Sequence, residues 1–264
     1  MNPHCMNPAG RLFEFLNFVW SQPDQLPASA AWAQYLLPGA DKEQATFFKA
    51  VGIVLTLPRE IRASVALLPP GPFASERLLR ALPAAEAALS IAPQLSAVTV
   101  SQMKAHYDRG TLADLEMCSE LLSHGRPGVG QEIQDEDEPS LDAIRRLANE
   151  IQEEATESGL PQEVAALLWR NADAIVRAVD LYRILGQDGV IREFEGLVGS
   201  LVTKPAAFSA VQKSSSLREK IQRLSKEIIV LGAACAVPTQ LIIEASNFWT
   251  AVEPHVTALS TVQP

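Results

Sequence analysis

Apolar positions along this chain recur mainly with a helical period, and the clearest cases lie in its second half. Leu141, Ile144, Leu147, Ala148, Ile151 and Ala155 form one face at helical spacing. Ser140 stands where a cap belongs and Gly159 where a stop belongs. Beyond Leu160-Pro161, the residues Val164, Leu168, Ala172, Ile175, Val179 and Tyr182 share a second stripe, which predicts a helix to about Leu185. The short link between these two patterns predicts an antiparallel helical hairpin. Gly186 and Gly189 bracket the next turn, and Val190, Phe194, Leu197 and Leu201 predict another amphipathic helix. Pro205 and the serines at 214 to 216 mark a joint. After it, Leu217, Ile221, Leu224, Ile228, Leu231 and Cys235 fall at intervals of 4, 3, 4, 3 and 4, a continuous helical seam.

The first half reads as short helices over 10–21, 29–36, 41–56, 58–67, 75–90, 101–109 and 111–124. Leu-Pro recurs at Leu26-Pro27, Leu37-Pro38, Leu57-Pro58, Leu68-Pro69 and Leu82-Pro83. Proline suits the first helical position and disfavours helix in the residue before it, so Leu-Pro is expected to mark helix starts. Thr111 with Asp114 has the spacing of a capping box. Phe13, Phe15, Phe18 and Trp20 are interleaved with Leu12, Leu16 and Val19, which predicts core. Strand-like alternation is scarce, and Ala97–Val100 comes nearest to it. The expected fold is therefore all-α. It is a multi-helix array or bundle with an antiparallel helical hairpin in the C-terminal half. Residues 1–130 form a proline-punctuated helical region, and 131–264 a hairpin and bundle with an acidic entry segment.

Charge adds a second layer. The 264 residues carry a net charge of −9, which argues against a broad nucleic-acid surface. Residues 132–163 hold eleven acids and two arginines, a local sum of −9, while 204–226 hold six bases and one acid, a local +5. Solvated helix faces account for such runs. A sharper alternative is docking of the acidic segment on the basic one, within the chain or between protomers, and a third is contact of the basic segment with anionic lipid or nucleic acid. Lys213, Arg218, Lys220, Arg223 and Lys226 lack the interleaved aromatics of a nucleic-acid surface.

Ile228–Ile243 carries no formal charge, and basic residues precede it while Phe248 and Trp249 follow, as at a membrane boundary. As a helix it spans only about 24 Å against a hydrocarbon core of about 30 Å. The seam also begins among charged residues and runs into it without a phase change. Two amphipathic helices meeting at Val237-Pro238 are the expected reading, the second with Leu241, Ala245, Phe248 and Val252 on one face.

No cofactor, metal or catalytic motif emerges. Cys5, Cys118 and Cys235 form no CxxC pair and fit a reducing, cytoplasmic setting, and no basic-then-apolar leader opens the chain. The turn at Gly125–Gly130 follows a helix rather than a strand and lacks a phosphate-loop lysine. Glu150, Glu153, Glu154 and Glu157 cluster on one helix, but no Glu-x-x-His partner faces them, so they read as a solvated acidic face. Asp173, Arg177 and Asp180 have the spacing of intrahelical ion pairs.

The expected function is a non-catalytic, cytoplasmic helical interaction or regulatory protein, binding another protein or itself. Its candidate contact residues are Leu217, Ile221, Leu224, Ile228 and Leu231 of the seam, with Glu150, Glu153, Glu154 and Glu157. The seam needs a partner helix only where the chain does not cover it. A membrane-associated effector anchored by Ile228–Ile243 is the first alternative. The second is a helical enzyme whose pocket gathers residues such as His106, Asp108, Glu120 or His124.

Overall fold

The computed structural model describes residues 7–37, 44–69, 75–124, 140–157, 159–233 and Trp249. These residues form an all-α array, and the nearest approach to a sheet among them is an isolated bridge between Pro27 and Thr99. It is closed by Ala28 N–H to Val98 O at 2.9 Å and Val100 N–H to Leu26 O at 2.9 Å. The strand-like Ala97–Val100 thus pairs briefly before turning into a helix. The chain divides into two compact units, Met1–Pro127 with Arg183–Gly186, and Gly128–Tyr182 with Gln187–Pro264.

The first unit contains α1 (Pro8–Ser21), α2 (Ala28–Leu36), α3 (Gln44–Ala66), α4 (Ser75–Leu78), α5 (Leu82–Leu89), α6 (Val100–Lys104) and α7 (Arg109–His124). Helix α1 packs chiefly on α7 and α3. Phe15 and Trp32 are fully buried and meet edge to face at 4.8 Å, and Phe18 stacks obliquely on Tyr35. The aromatic stripe of α1 is therefore core, as its apolar neighbours imply.

Leu-Pro behaves unevenly. Pro27 precedes α2 and Pro83 is the second residue of α5. Leu57-Pro58 departs from the rule: Pro58 lies inside α3, buried, and one helix runs where two were expected. An interior proline costs about 3 kcal/mol. Here Ala50, Val51, Val54, Leu57, Ile61 and Val65 keep one buried face on both sides of it, so core packing outweighs local preference. Conversely, the helix expected over 75–90 breaks into α4 and α5.

Helix α7 also starts earlier than its expected capping box. Asp108 Oδ1 accepts the Thr111 N–H at 2.7 Å and the Thr111 hydroxyl at 2.9 Å, so Asp108 is the cap. Those bonds, the backbone one foremost, hold the Asp108 carboxyl below its usual range. Asp114 is engaged elsewhere, accepting two hydrogen bonds from Arg80 at 2.6 and 2.9 Å.

The second unit contains α8 (Leu141–Glu157), α9 (Gln162–Asp180), most of α10 (Tyr182–Thr203), α11 (Pro205–Lys213) and α12 (Ser215–Ala233). Ser140 Oγ accepts the Ala143 N–H at 3.1 Å and caps α8, and Gly159 adopts φ +65° beyond its end. Helices α8 and α9 pack along their length, and Arg145 at the start of α8 reaches Asp180 at the end of α9 at 2.5 Å. Only an antiparallel pair brings those two positions together. Asp180 is thereby drawn from Arg177, which pairs with Asp173 within α9. The stripe expected to run to Leu185 ends at Asp180, and α10 breaks at Gly186, with φ 62° and ψ −169°.

Candidate functional site

The seam is interior to the second unit. Leu217, Ile221, Leu224 and Leu231 are fully buried and Ile228 is nearly so. Helix α12 lays this face on α8 and α11. The chain therefore covers the described part of the seam itself, and these five side chains do not form an exposed contact surface. Cys235 and the span from 234 to 243 lie outside the described residues, as does the expected second helix after Pro238. Among the described residues no helix is long and apolar enough to cross a membrane. Trp249 packs its ring 5.9 Å from that of Phe208 and donates its indole N–H to the Arg218 carbonyl at 3.4 Å.

The four glutamates divide by helical phase. Glu153 and Glu157 are exposed, whereas Glu150 and Glu154 turn partly inward. Lys220 Nζ lies 2.7 Å from Glu154 Oε2, and the hydroxyls of Ser216 and Ser214 donate to the same carboxylate at 2.7 and 3.3 Å. Lys220 also donates to the Glu150 backbone carbonyl at 3.4 Å. The acidic hairpin and the basic helix of the sequence thus meet within the chain. No group of three or more His, Cys, Asp or Glu side chains among the described residues is placed to hold a metal ion.

Next to this contact, α8 and α12 border a cleft of about 150 Å³ lined by Arg146, Leu147, Glu150, Arg223, Lys226 and Glu227. Leu147 is buried at its base. Of the six, only Glu150 belongs to the contact residues expected from the sequence. Leu147 belongs to the apolar face of α8 and Arg223 and Lys226 to the basic run, while Arg146 and Glu227 sit among polar residues where nothing in the pattern sets them apart.

In the first unit, α3 presents Phe48 and Leu55 to solvent, 60% and 43% exposed, with Gly52 between them on the same face. Lys49 and Arg59 flank this strip and are exposed. The nearby carboxylates are engaged, Glu60 with the buried Arg11 at 3.0 Å and Glu86 with Arg62. This surface leaves no signature in the sequence because 50–57 is apolar on nearly every side, so no period separates the inner face from the outer one.

The residues named for a catalytic pocket are not gathered into one. His106, Asp108 and Glu120 are exposed, and Asp108 serves as the α7 cap. The His124 side chain lies outside the described residues. Cys118 is buried and its thiol is pushed up to about 11 by that burial, which suits a small core residue. No protein-family model, no curated protein and no solved structure matches this chain.

Proposed function

We propose that the chain is a non-catalytic helical interaction or regulatory protein of the cytoplasm, and that it binds an acidic, amphipathic helix of another protein on the outer face of α3. The observation that carries this reading is the exposure of Phe48 and Leu55 on one helical face flanked by Lys49 and Arg59. Apolar area left in water is worth roughly 25 cal/mol per Å² when covered. A helix carrying two apolar anchors would cover both side chains, and carboxylates at its ends would meet the two cations. The cytoplasmic assignment draws support from the free thiol of Cys118.

The test uses the full chain with Phe48→Glu and Leu55→Glu together. Both positions are solvent-facing, so folding should be retained. A partner trapped by the wild type is identified, and its acidic helix is made as a peptide and titrated. The expected result is a loss of affinity of at least about tenfold in the variant, and weaker binding at higher salt. Equal binding by the variant overturns the reading, as does a partner segment without carboxylates. A molecular mass that doubles with concentration in the wild type alone would assign the face to a second copy instead.

A further inference from the structure

We propose that the cleft between α8 and α12 binds a small zwitterion of amino-acid size. Its six lining residues bring two signs of charge to one small space. Arg146 and Glu150 stand four apart on α8, and Arg223 and Glu227 four apart on α12. Opposite charges at that spacing ordinarily pair along a helix, but the order with the cation first is the weaker one. Arg223 instead pairs backwards with Glu219 at 2.5 Å. Arg146, Lys226, Glu150 and Glu227 make no ion pair with any described residue, although all four line the same cleft. Among the described residues, nothing neutralises their charges before a ligand does.

That arrangement selects by sign. A simple anion drawn to Arg146 and Lys226 would also face Glu150 and Glu227. A simple cation would meet the reverse problem. A molecule carrying an ammonium and a carboxylate satisfies both sets, which is how mixed-charge sites gain specificity. Size narrows the class further. A cleft of about 150 Å³ has room for a ligand about the size of benzene, the bulk of a small amino acid. Leu147 supplies an apolar base for its carbon skeleton. This site stands apart from the partner reading of α3 and neither requires the other.

The full chain, labelled at its leucine methyl groups, is titrated with L-alanine and with 4-aminobutyrate, whose charges are differently spaced. Acetate and methylammonium serve as the single-charge halves. The Leu147 resonance should move saturably with at least one zwitterion, and each half alone should bind at least about tenfold more weakly. Arg146→Gln and Glu227→Gln should each abolish the shift while leaving the other leucine resonances in place. The proposal is overturned if neither zwitterion moves Leu147, if acetate alone does so equally well, or if Arg146→Gln binds as the wild type does.

Discussion

Lys220 Nζ sits 2.7 Å from Glu154 Oε2 and ties the basic α12 to the acidic α8. Glu154 is only 15% exposed in its side chain and Lys220 26%. Burial by itself would push the Glu154 carboxyl up, but the hydrogen bonds from Lys220, Ser216 and Ser214 together hold it below the usual carboxylate range.

Stability should therefore depend on pH through this residue. A carboxyl with a lowered value in the fold favours the native state above its unfolded value and loses that advantage as pH falls through its folded value. Urea midpoints taken from neutral pH down to about pH 3 should fall more steeply for the wild type than for Glu154→Gln. At neutral pH the variant should be less stable by about 1–3 kcal/mol. A double-mutant cycle with Lys220→Met should show coupling of about 0.5 kcal/mol or more. Additive single losses would show that the pair adds nothing beyond its separate contacts.

Asn7 joins the start of α1 to α7. Its Oδ1 accepts the Gly10 N–H at 3.0 Å, while its Nδ2 lies 3.0 Å from the Ser119 carbonyl and within 3.1 Å of the Ser119 and Ser123 hydroxyls. The residue is almost fully buried. Asn7→Ala removes both the cap and the tie and should cost about 1–3 kcal/mol by thermal or urea unfolding. Asn7→Asp keeps the capping oxygen but sets a carboxylate against the Ser119 carbonyl, so it should also destabilise. An unchanged melting temperature in Asn7→Asp would show that only the cap matters.

Much of the second unit is legible in the amino-acid pattern, because its helices are amphipathic and bounded by Ser140, Gly159 and Gly186. The seam from Leu217 to Leu231 is read correctly as one helical face. What pattern alone leaves open is what covers a face, since a stripe of leucines looks the same against its own chain or against a partner. The α8 glutamates illustrate this: only the fold separates Glu154, held by Lys220, from the exposed Glu153. The first unit is harder to read. Several of its helices are short, and its longest, α3, is apolar on several sides around Pro58, so Pro58 is mistaken for a boundary and Phe48 cannot be told from core.

Gln187 is fully buried, and neither its amide oxygen nor its nitrogen has a hydrogen-bond partner among the described residues. A buried polar group without partners costs about 1–3 kcal/mol. Gln187→Met keeps the length of the side chain and removes that penalty, so the variant should unfold at higher urea concentration with an unchanged m-value. A loss of stability would mean that the amide is satisfied in solution by bound water.

Two glycines of α10 should respond in opposite directions to the same change. Gly186 has φ 62° and ψ −169°, a conformation open essentially to glycine alone, and it is where the helix breaks. Gly199 is exposed within regular helix, and a Cβ added there meets nothing within 4 Å. Gly186→Ala should destabilise by about 1–3 kcal/mol, because the backbone must either keep a strained angle or close the break. Gly199→Ala should stabilise by about 0.5–1 kcal/mol, mainly by restricting the unfolded chain. Urea denaturation of the two variants side by side checks both signs. If Gly186→Ala were as stable as the wild type, α10 would tolerate running straight through residue 186, and the break would not be a fixed feature of the fold.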